Sequence, residues 1–166
     1  AGLAFAAAGA VGFLQFQEVL NGDGPGLYFS SMDLTITRSP MVVMDGYSAF
    51  AAIVLGVVGF VGLLAAWDLV VAVGRRGPEF VSLALLAVAG LHMMAASPNL
   101  VVIFLGLETA SIAFYGLAGF ARRETGSEES ALKYFLLGSL ASALFLYGVA
   151  LAFGATGSLA IYGANS

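Results

Sequence analysis

Residues 98–133 read PNLVVIFLGLETASIAFYGLAGFARRETGSEESALK, and they carry the clearest structural information in the sequence. It contains one long apolar run and the beginning of the next, separated by a short charged segment. Glu108 lies near the middle of the first run, and Lys133 lies just inside the second. A charged side chain at the centre of a membrane-spanning helix costs about 2.5–3.5 kcal/mol on insertion scales. Glu108 therefore needs a partner, a bound proton or a function.

The composition indicates a membrane protein. Of the 166 residues, 60% are hydrophobic and 10% are charged, with a mean hydropathy of +0.98, whereas soluble domains carry about 25% charged residues. The net charge is −4, and four of the six basic residues form two short pairs and no larger patch, so we expect the lipid bilayer and no nucleic acid as a partner. Without cysteine, the sequence holds no thiolate metal site and no Cys-ligated iron–sulfur cluster.

Five apolar runs have about the 20 residues that a helix needs to cross a bilayer. Residues 79–120 as a single helix would be about 60 Å long, so a turn is expected at Ser97-Pro98-Asn99. Alternating apolar and polar residues predict a short extramembrane strand or hairpin near 27–38. We therefore predict an all-α membrane protein, a single membrane-domain fragment over 1–166, with spans at about 1–20, 46–67, 79–97, 98–120 and 128–153.

The arginines orient these spans. Arg75 and Arg76 lie in one loop, Arg122 and Arg123 lie in another, and alternating spans put both loops on the same side of the membrane. The positive-inside rule makes that side cytoplasmic, so loops 74–78 and 121–128 are expected in the cytoplasm. Ser127 is expected to cap the last span.

Glu108 shares one helix face with Ser111 and Tyr115, at spacings of three and seven residues. The opposite side carries small residues that allow close helix packing: Gly106, Ala110, Ala113 and Gly116. Two interpretations remain open. Ionisable groups within a membrane mark ion pathways by default, but a permanently protonated, structural carboxyl group is the alternative.

Lys133 and His92 also have two interpretations each. Glu129 precedes Lys133 by four residues, which suits a surface ion pair, but the lysine could instead tune the charge state of Glu108. About 10 Å of helix rise separates the two levels, so a water or a third residue would have to bridge them. His92 is the only histidine. It is either a hydrogen-bonded packing residue or such a third group.

Several segments resemble one protein family, subunit N of the proton-pumping NADH–quinone oxidoreductase, respiratory complex I. The similarity is strongest from Glu108 to Ser158. The matching segments are Gly106-Leu-Glu108, Ala118-Gly-Phe, Ser130-Ala-Leu-Lys133-Tyr-Phe-Leu-Leu-Gly138, Ala141-Ser-Ala-Leu-Phe-Leu-Tyr-Gly148 and Phe153-Gly-Ala-Thr-Gly-Ser158. Val43-Met-Asp-Gly46 adds weaker support.

The resemblance implies a larger antiporter-like bundle of about fourteen helices, of which these spans would be the second to the sixth. It implies a proton pathway through Glu108 and Lys133. Ser111 and Tyr115, which share the helix face of Glu108, and His92, which matches no position of the family, are possible supporting residues on their own chemistry. The protein would be a multi-pass, translocating subunit of the cell's inner (plasma) membrane, bound to other membrane subunits of the complex. It would hold no redox centre, because NADH, FMN, iron–sulfur clusters and quinone are expected in other subunits.

Two departures from the family's pattern affect the site. The family usually has a proline shortly after the glutamate, where this chain has Ile112-Ala113-Phe114. Related subunits, including those of multisubunit sodium/proton antiporters, generally carry tryptophan before the glutamate, whereas this chain has Leu107. That difference favours subunit N, with an antiporter subunit and a passive membrane scaffold as the alternatives.

Overall fold

The structure, a computed structural model, describes residues 27–30, 40–120 and 125–161, and singly residues 7, 10, 11, 13, 14, 17 and 21. Within residues 27–30, 40–120 and 125–161, two strands and five α-helices follow in chain order: β1 (Leu27–Ser30), β2 (Pro40–Met44), α1 (Gly46–Ala65), α2 (Trp67–Ala72), α3 (Gly77–Ala95), α4 (Leu100–Ala118) and α5 (Thr125–Thr156). A 3-10 turn, Gly74–Arg76, connects α2 to α3.

Four helices in the described part of the chain are long and apolar enough to cross a membrane. They are α1, α3 together with the preceding 3-10 turn, α4, and nearly all of α5. The structure is therefore that of an all-α membrane protein, as predicted. Most of the predicted span at 1–20 lies outside the described residues.

The extramembrane element is an antiparallel pairing of β1 with β2. The alternating pattern that predicted a strand at 32–37 lies outside the described residues, and the second strand is Pro40–Met44. Asp45 follows it and begins α1 with a reciprocal cap, because its carboxylate accepts from Ser48 N at 2.8 Å and Ser48 Oγ accepts from Asp45 N at 2.9 Å. This cap fixes the residue at which α1 begins.

The helices pack in sequence, α1 on α3, α3 on α4 and α4 on α5. The α3–α4 contact is the most extensive of these, and small buried residues form it: Ala87 and Gly90 on α3, and Gly106, Ala110 and Ala113 on α4. Small residues let two helix backbones approach closely within a membrane. The prediction that one side of α4 is a packing surface is confirmed.

A turn at 96–99 holds one end of the bundle together. Asn99 begins α4 by accepting hydrogen bonds from Val101 N at 3.0 Å and Val102 N at 3.4 Å. Ala96 O accepts from Val43 N in β2, and Pro98 O accepts from Ile161 N beyond α5. The turn thus attaches both the hairpin and the end of α5 to the α3–α4 pair.

α5 begins earlier than the sequence indicated, and the expected cap at Ser127 is wrong. The helix starts at Thr125, so Ser127 lies within the first turn, where its Oγ donates to Ala118 O at 2.8 Å. That bond connects the end of α4 to the beginning of α5. With 32 residues, α5 is about 48 Å long, which exceeds the roughly 30 Å of the hydrocarbon layer.

Candidate functional site

Glu108 lies at the middle of α4, eight residues after its first residue, Leu100. Its side chain is half-buried, and its Oε1 atom is buried without a hydrogen-bond partner among the described residues. A buried carboxyl oxygen without a partner is costly, because the group has lost its water and gained nothing in exchange. A bound proton, a water molecule or a side chain that moves into contact would remove this cost.

The close approach of α3 and α4 sets the rotation of α4. A Cβ atom at Gly106 would lie 2.8 Å from Gly90 O and 2.9 Å from Met94 N, so only glycine fits there. Glu108 follows Gly106 by two residues, about 200° around the helix. The packing of Gly106 on α3 therefore turns Glu108 away from α3.

Two aromatic contacts show that the Glu108 side of α4 faces α5. Phe104, four residues before Glu108, stacks on Phe145 with ring centroids 6.2 Å apart. Tyr115, seven residues after Glu108, packs edge-on against Tyr134 and Phe135. The ring centroids are 4.9 Å apart in the first pair and 5.6 Å apart in the second. Residues at these spacings share one helix face, so Glu108 lies between the two contacts. Tyr115 is thus part of the α4–α5 interface, and Ser111 lies one turn from Glu108 on the same face.

Lys133 is not brought to Glu108 by the described part of the chain. Its Nζ forms an ion pair with Glu129 Oε1 at 2.5 Å, and both side chains are about two-thirds exposed, at 69% and 65%. Lys133 precedes the α4-facing Gly138 by five residues, about 140° around the helix, so it lies on another side of α5. Its level along the bundle is that of Tyr115, about 10 Å from Glu108.

His92 lies on α3, on the side away from α4. It follows the contact residue Gly90 by two positions, which is about 200° around the helix. Its Nδ1 atom is buried and has no hydrogen-bond partner among the described residues. His92 and Glu108 are thus two separate polar groups on different faces of the α3–α4 pair, each with one buried atom that has no partner among the described residues.

The α5 residues that face this site were not among those predicted from the sequence. Gly138 lies against Tyr115, because a Cβ atom there would overlap the tyrosine hydroxyl. Ser142, one turn further along, is buried with 9% exposure. The spacing of Gly138, Ser142 and Phe145 at three and four residues is the signal that could have identified this stripe. The apolar composition of α5 on every side concealed it.

The described residues contain no cluster of three or more His, Cys, Asp or Glu side chains that could hold a metal ion. The polar groups near Glu108 on its own face of α4 and on the facing side of α5 are the hydroxyls of Ser111 and Ser142 and the phenol of Tyr115. These groups can hold and pass protons.

Comparison with known proteins extends these observations. A family model described as "NADH:quinone oxidoreductase/Mrp antiporter, TM" matches residues 97–164, which include Glu108 and Lys133. NADH-quinone oxidoreductase subunit N 2 of Koribacter versatilis is 43% identical over 122 residues, 74% of this chain and 25% of that protein. Subunit N 1 of Sorangium cellulosum is 40% identical over 149 residues, 90% of this chain and 27% of the relative. The chain thus spans about a quarter of the length of these relatives.

Two solved structures share the fold. A chain of respiratory complex I from Thermus thermophilus with bound aureothin is one of them. The match covers 98% of this chain and 34% of the complex I chain, with a TM-score of 0.65 and 31% identity. A chain of the membrane-bound sulfane sulfur reductase, an archaeal respiratory membrane complex, is another. The match covers 96% of this chain and 32% of the reductase chain, with a TM-score of 0.78 and 26% identity. From its sequence matches and its fold together, the chain belongs to the subunit N family of NADH–quinone oxidoreductase.

Proposed function

We propose that this chain is part of the antiporter-like membrane subunit through which complex I translocates protons, and that Glu108 carries protons in it. The observation that carries the proposal is the buried Oε1 of a carboxyl group in the middle of α4, which has no hydrogen-bond partner within the described part of the chain. A structural glutamate would have its oxygens satisfied by a neighbouring helix. An atom left without a partner suits a group that takes up and releases a proton.

Lys133 is proposed to bias the charge state of Glu108 through its electric field. A cation favours the ionised form of a nearby carboxyl group, and its removal or neutralisation favours the protonated form. Lys133 is paired with Glu129, which partly cancels its field. Opening or closing this pair would therefore alter proton occupancy at Glu108 without direct contact between Lys133 and Glu108.

The assembly and its location are part of the same proposal. The curated relatives are named as subunits of NADH–quinone oxidoreductase, and both solved neighbours are respiratory membrane complexes. NADH, FMN, iron–sulfur clusters and quinone would then be bound by other subunits. The membrane would be the bacterial inner membrane, with the loops around Arg75 and 121–128 on the cytoplasmic side.

A subunit of a sodium/proton antiporter is the second candidate, because the description of the matching family model also names Mrp antiporters. The two functions differ in their partners. Purification of the native full-length subunit should co-isolate flavin and iron–sulfur proteins if it belongs to complex I. Isolation with antiporter subunits alone would favour the second function.

Replacement of Glu108 tests proton transfer directly. Glu108→Gln keeps the size and hydrogen bonding of the side chain but cannot titrate, so the complex should assemble while proton pumping falls by roughly tenfold or more. Glu108→Asp withdraws the carboxyl group by one methylene and should retain partial activity. The measurement is proton pumping and quinone reductase activity in membranes, normalised to assembled complex.

A structural carboxyl group predicts the opposite order, with Gln tolerated and Asp worse. Pumping at the wild-type rate by assembled Glu108→Gln would exclude a proton-carrying role for Glu108. It would also favour the scaffold interpretation of this chain.

A further inference from the structure

α5 presents one stripe of residues to α4, and Ser142 is the polar residue in the middle of it. Gly138, four residues before Ser142, lies against Tyr115, and Phe145, three residues after it, stacks on Phe104. Residues at these spacings share a helix face. Ser142 is accordingly buried, with 9% of its surface exposed.

Ser142 and Glu108 lie at the same level of the bundle. α4 and α5 run antiparallel, because Tyr115 on α4 pairs with Gly138 on α5 while the earlier Phe104 pairs with the later Phe145. Glu108 lies four residues from the Phe104 contact, and Ser142 lies three residues from the Phe145 contact. At about 1.5 Å per residue, their levels agree to within about 2 Å.

We propose that Ser142 positions the carboxyl group of Glu108 across the α4–α5 interface, with its hydroxyl bound to Oε1 through one water molecule, or directly once the two side chains rotate toward each other, because the structure itself has no direct bond between them. This proposal rests on the proposed role of Glu108 as a proton carrier. Oε1 is the buried oxygen that has no partner among the described residues, and Ser142 is the buried polar residue facing it from α5.

A hydroxyl group suits a partner whose charge changes. It donates its hydrogen to an ionised carboxylate and accepts a hydrogen from a protonated carboxyl group. A side chain that only donates or only accepts would match one of the two states. Ser142 can thus hold the carboxyl group in one place through both states of a proton-transfer cycle.

Ser139 provides a matched control on the same helix. It lies three residues before Ser142, is exposed, and donates from its Oγ to Leu136 O at 3.1 Å. Replacing either serine by alanine removes one hydroxyl group and has the same effect on helix propensity. Only Ser142→Ala removes a hydroxyl group that faces Glu108.

The experiment uses the full-length subunit in assembled complex, with the variants Ser142→Ala, Ser142→Thr, Ser142→Cys and Ser139→Ala. One readout is the proton-pumping rate per assembled complex. The other is the infrared carboxyl band of Glu108, identified as the band that disappears in Glu108→Gln.

Ser142→Ala should lower pumping by roughly two- to tenfold, the factor for one hydrogen bond, and should shift the Glu108 band. Ser142→Thr keeps the hydroxyl and should restore both readouts, Ser142→Cys should be intermediate, and Ser139→Ala should match the wild type. An unshifted band in Ser142→Ala, or pumping equal to that of Ser139→Ala, would overturn the assignment of Ser142. Wild-type pumping by Glu108→Gln would instead overturn the proton-carrying role, while the band shift still decides whether Ser142 binds Glu108.

Discussion

The contact of Gly90 with α4 makes a quantitative prediction for Gly90→Ala. A Cβ atom at this position would lie 2.6 Å from Ala110 N and 2.7 Å from Gly106 O, whereas ordinary contacts begin at 3.4 Å. Both opposing atoms belong to the backbone of α4 and cannot rotate away as a side chain could. The two helices must therefore separate locally by about 0.8 Å.

The size of the effect follows from two opposing terms. Overpacking a close contact costs about 1–3 kcal/mol, and the replacement of glycine by alanine within a helix returns about 1 kcal/mol. Gly62→Ala on α1 is the matched control, because a Cβ atom there would have no described atom within 4 Å, its own helical turn apart. It keeps the propensity term without the clash, so the two variants should differ by about 1–3 kcal/mol.

The assay heats the detergent-solubilised complex and measures the temperature at which half of the full-length subunit is lost from it. A difference of about 1–3 kcal/mol corresponds to several degrees for a bundle of this size. Because α4 carries Glu108, Gly90→Ala should also reduce proton pumping in the complex that does assemble. Equal retention of Gly90→Ala and Gly62→Ala would refute the close approach of α3 and α4, and with it the rotation that directs Glu108 to α5.

Two further predictions concern the charged end of α5. Lys133→Ala should impair proton pumping severalfold while Glu129→Gln leaves it largely intact, measured per assembled complex; equally mild effects would return Lys133 to the role of a surface ion-pair partner. Cysteines introduced at Gly126 and at Ser158, near opposite ends of α5, should react with an impermeant thiol reagent from opposite faces of the membrane, Gly126 from the cytoplasm, and labelling from the same face would exclude the proposed orientation.

The parts of the fold that were predictable are those determined by local chemistry. The turn at 97–99 was predictable because proline restricts the residue before it and one helix from 79 to 120 would be too long for a bilayer. The packing side of α4 was also predictable, since small residues recur there at three- and four-residue spacing. The structure has α3 ending at Ala95, and Gly106 and Ala110 buried against α3.

The parts that were not predictable depend on how one helix faces another. Ser142 was not identified from the sequence, because on an almost wholly apolar helix nothing distinguishes the side that meets α4 from the side that meets lipid or another helix. The cap at Ser127 was predicted wrongly because its hydroxyl binds Ala118 O, a tertiary contact. The residue type shows that a side chain can form a hydrogen bond, and the packing determines which group it binds.

The separation of Lys133 from Glu108 is compatible with the electrostatic role proposed for the lysine. The offset of about 10 Å is along the helix axis, and the lateral spacing of α4 and α5 adds to it, so the two charges are roughly 15 Å apart. At an effective dielectric constant of 20, two unit charges at that distance interact by roughly 1 kcal/mol, and the exposure of Lys133 reduces this further. Because each 1.4 kcal/mol changes an equilibrium by about tenfold, the field of Lys133 changes the protonation ratio of Glu108 by about severalfold at most without contact. Pairing with Glu129 brings an opposite charge next to Lys133 and weakens its field at α4. Loss of Lys133 therefore removes the coupling, whereas loss of the Glu129 charge leaves the lysine's field in place.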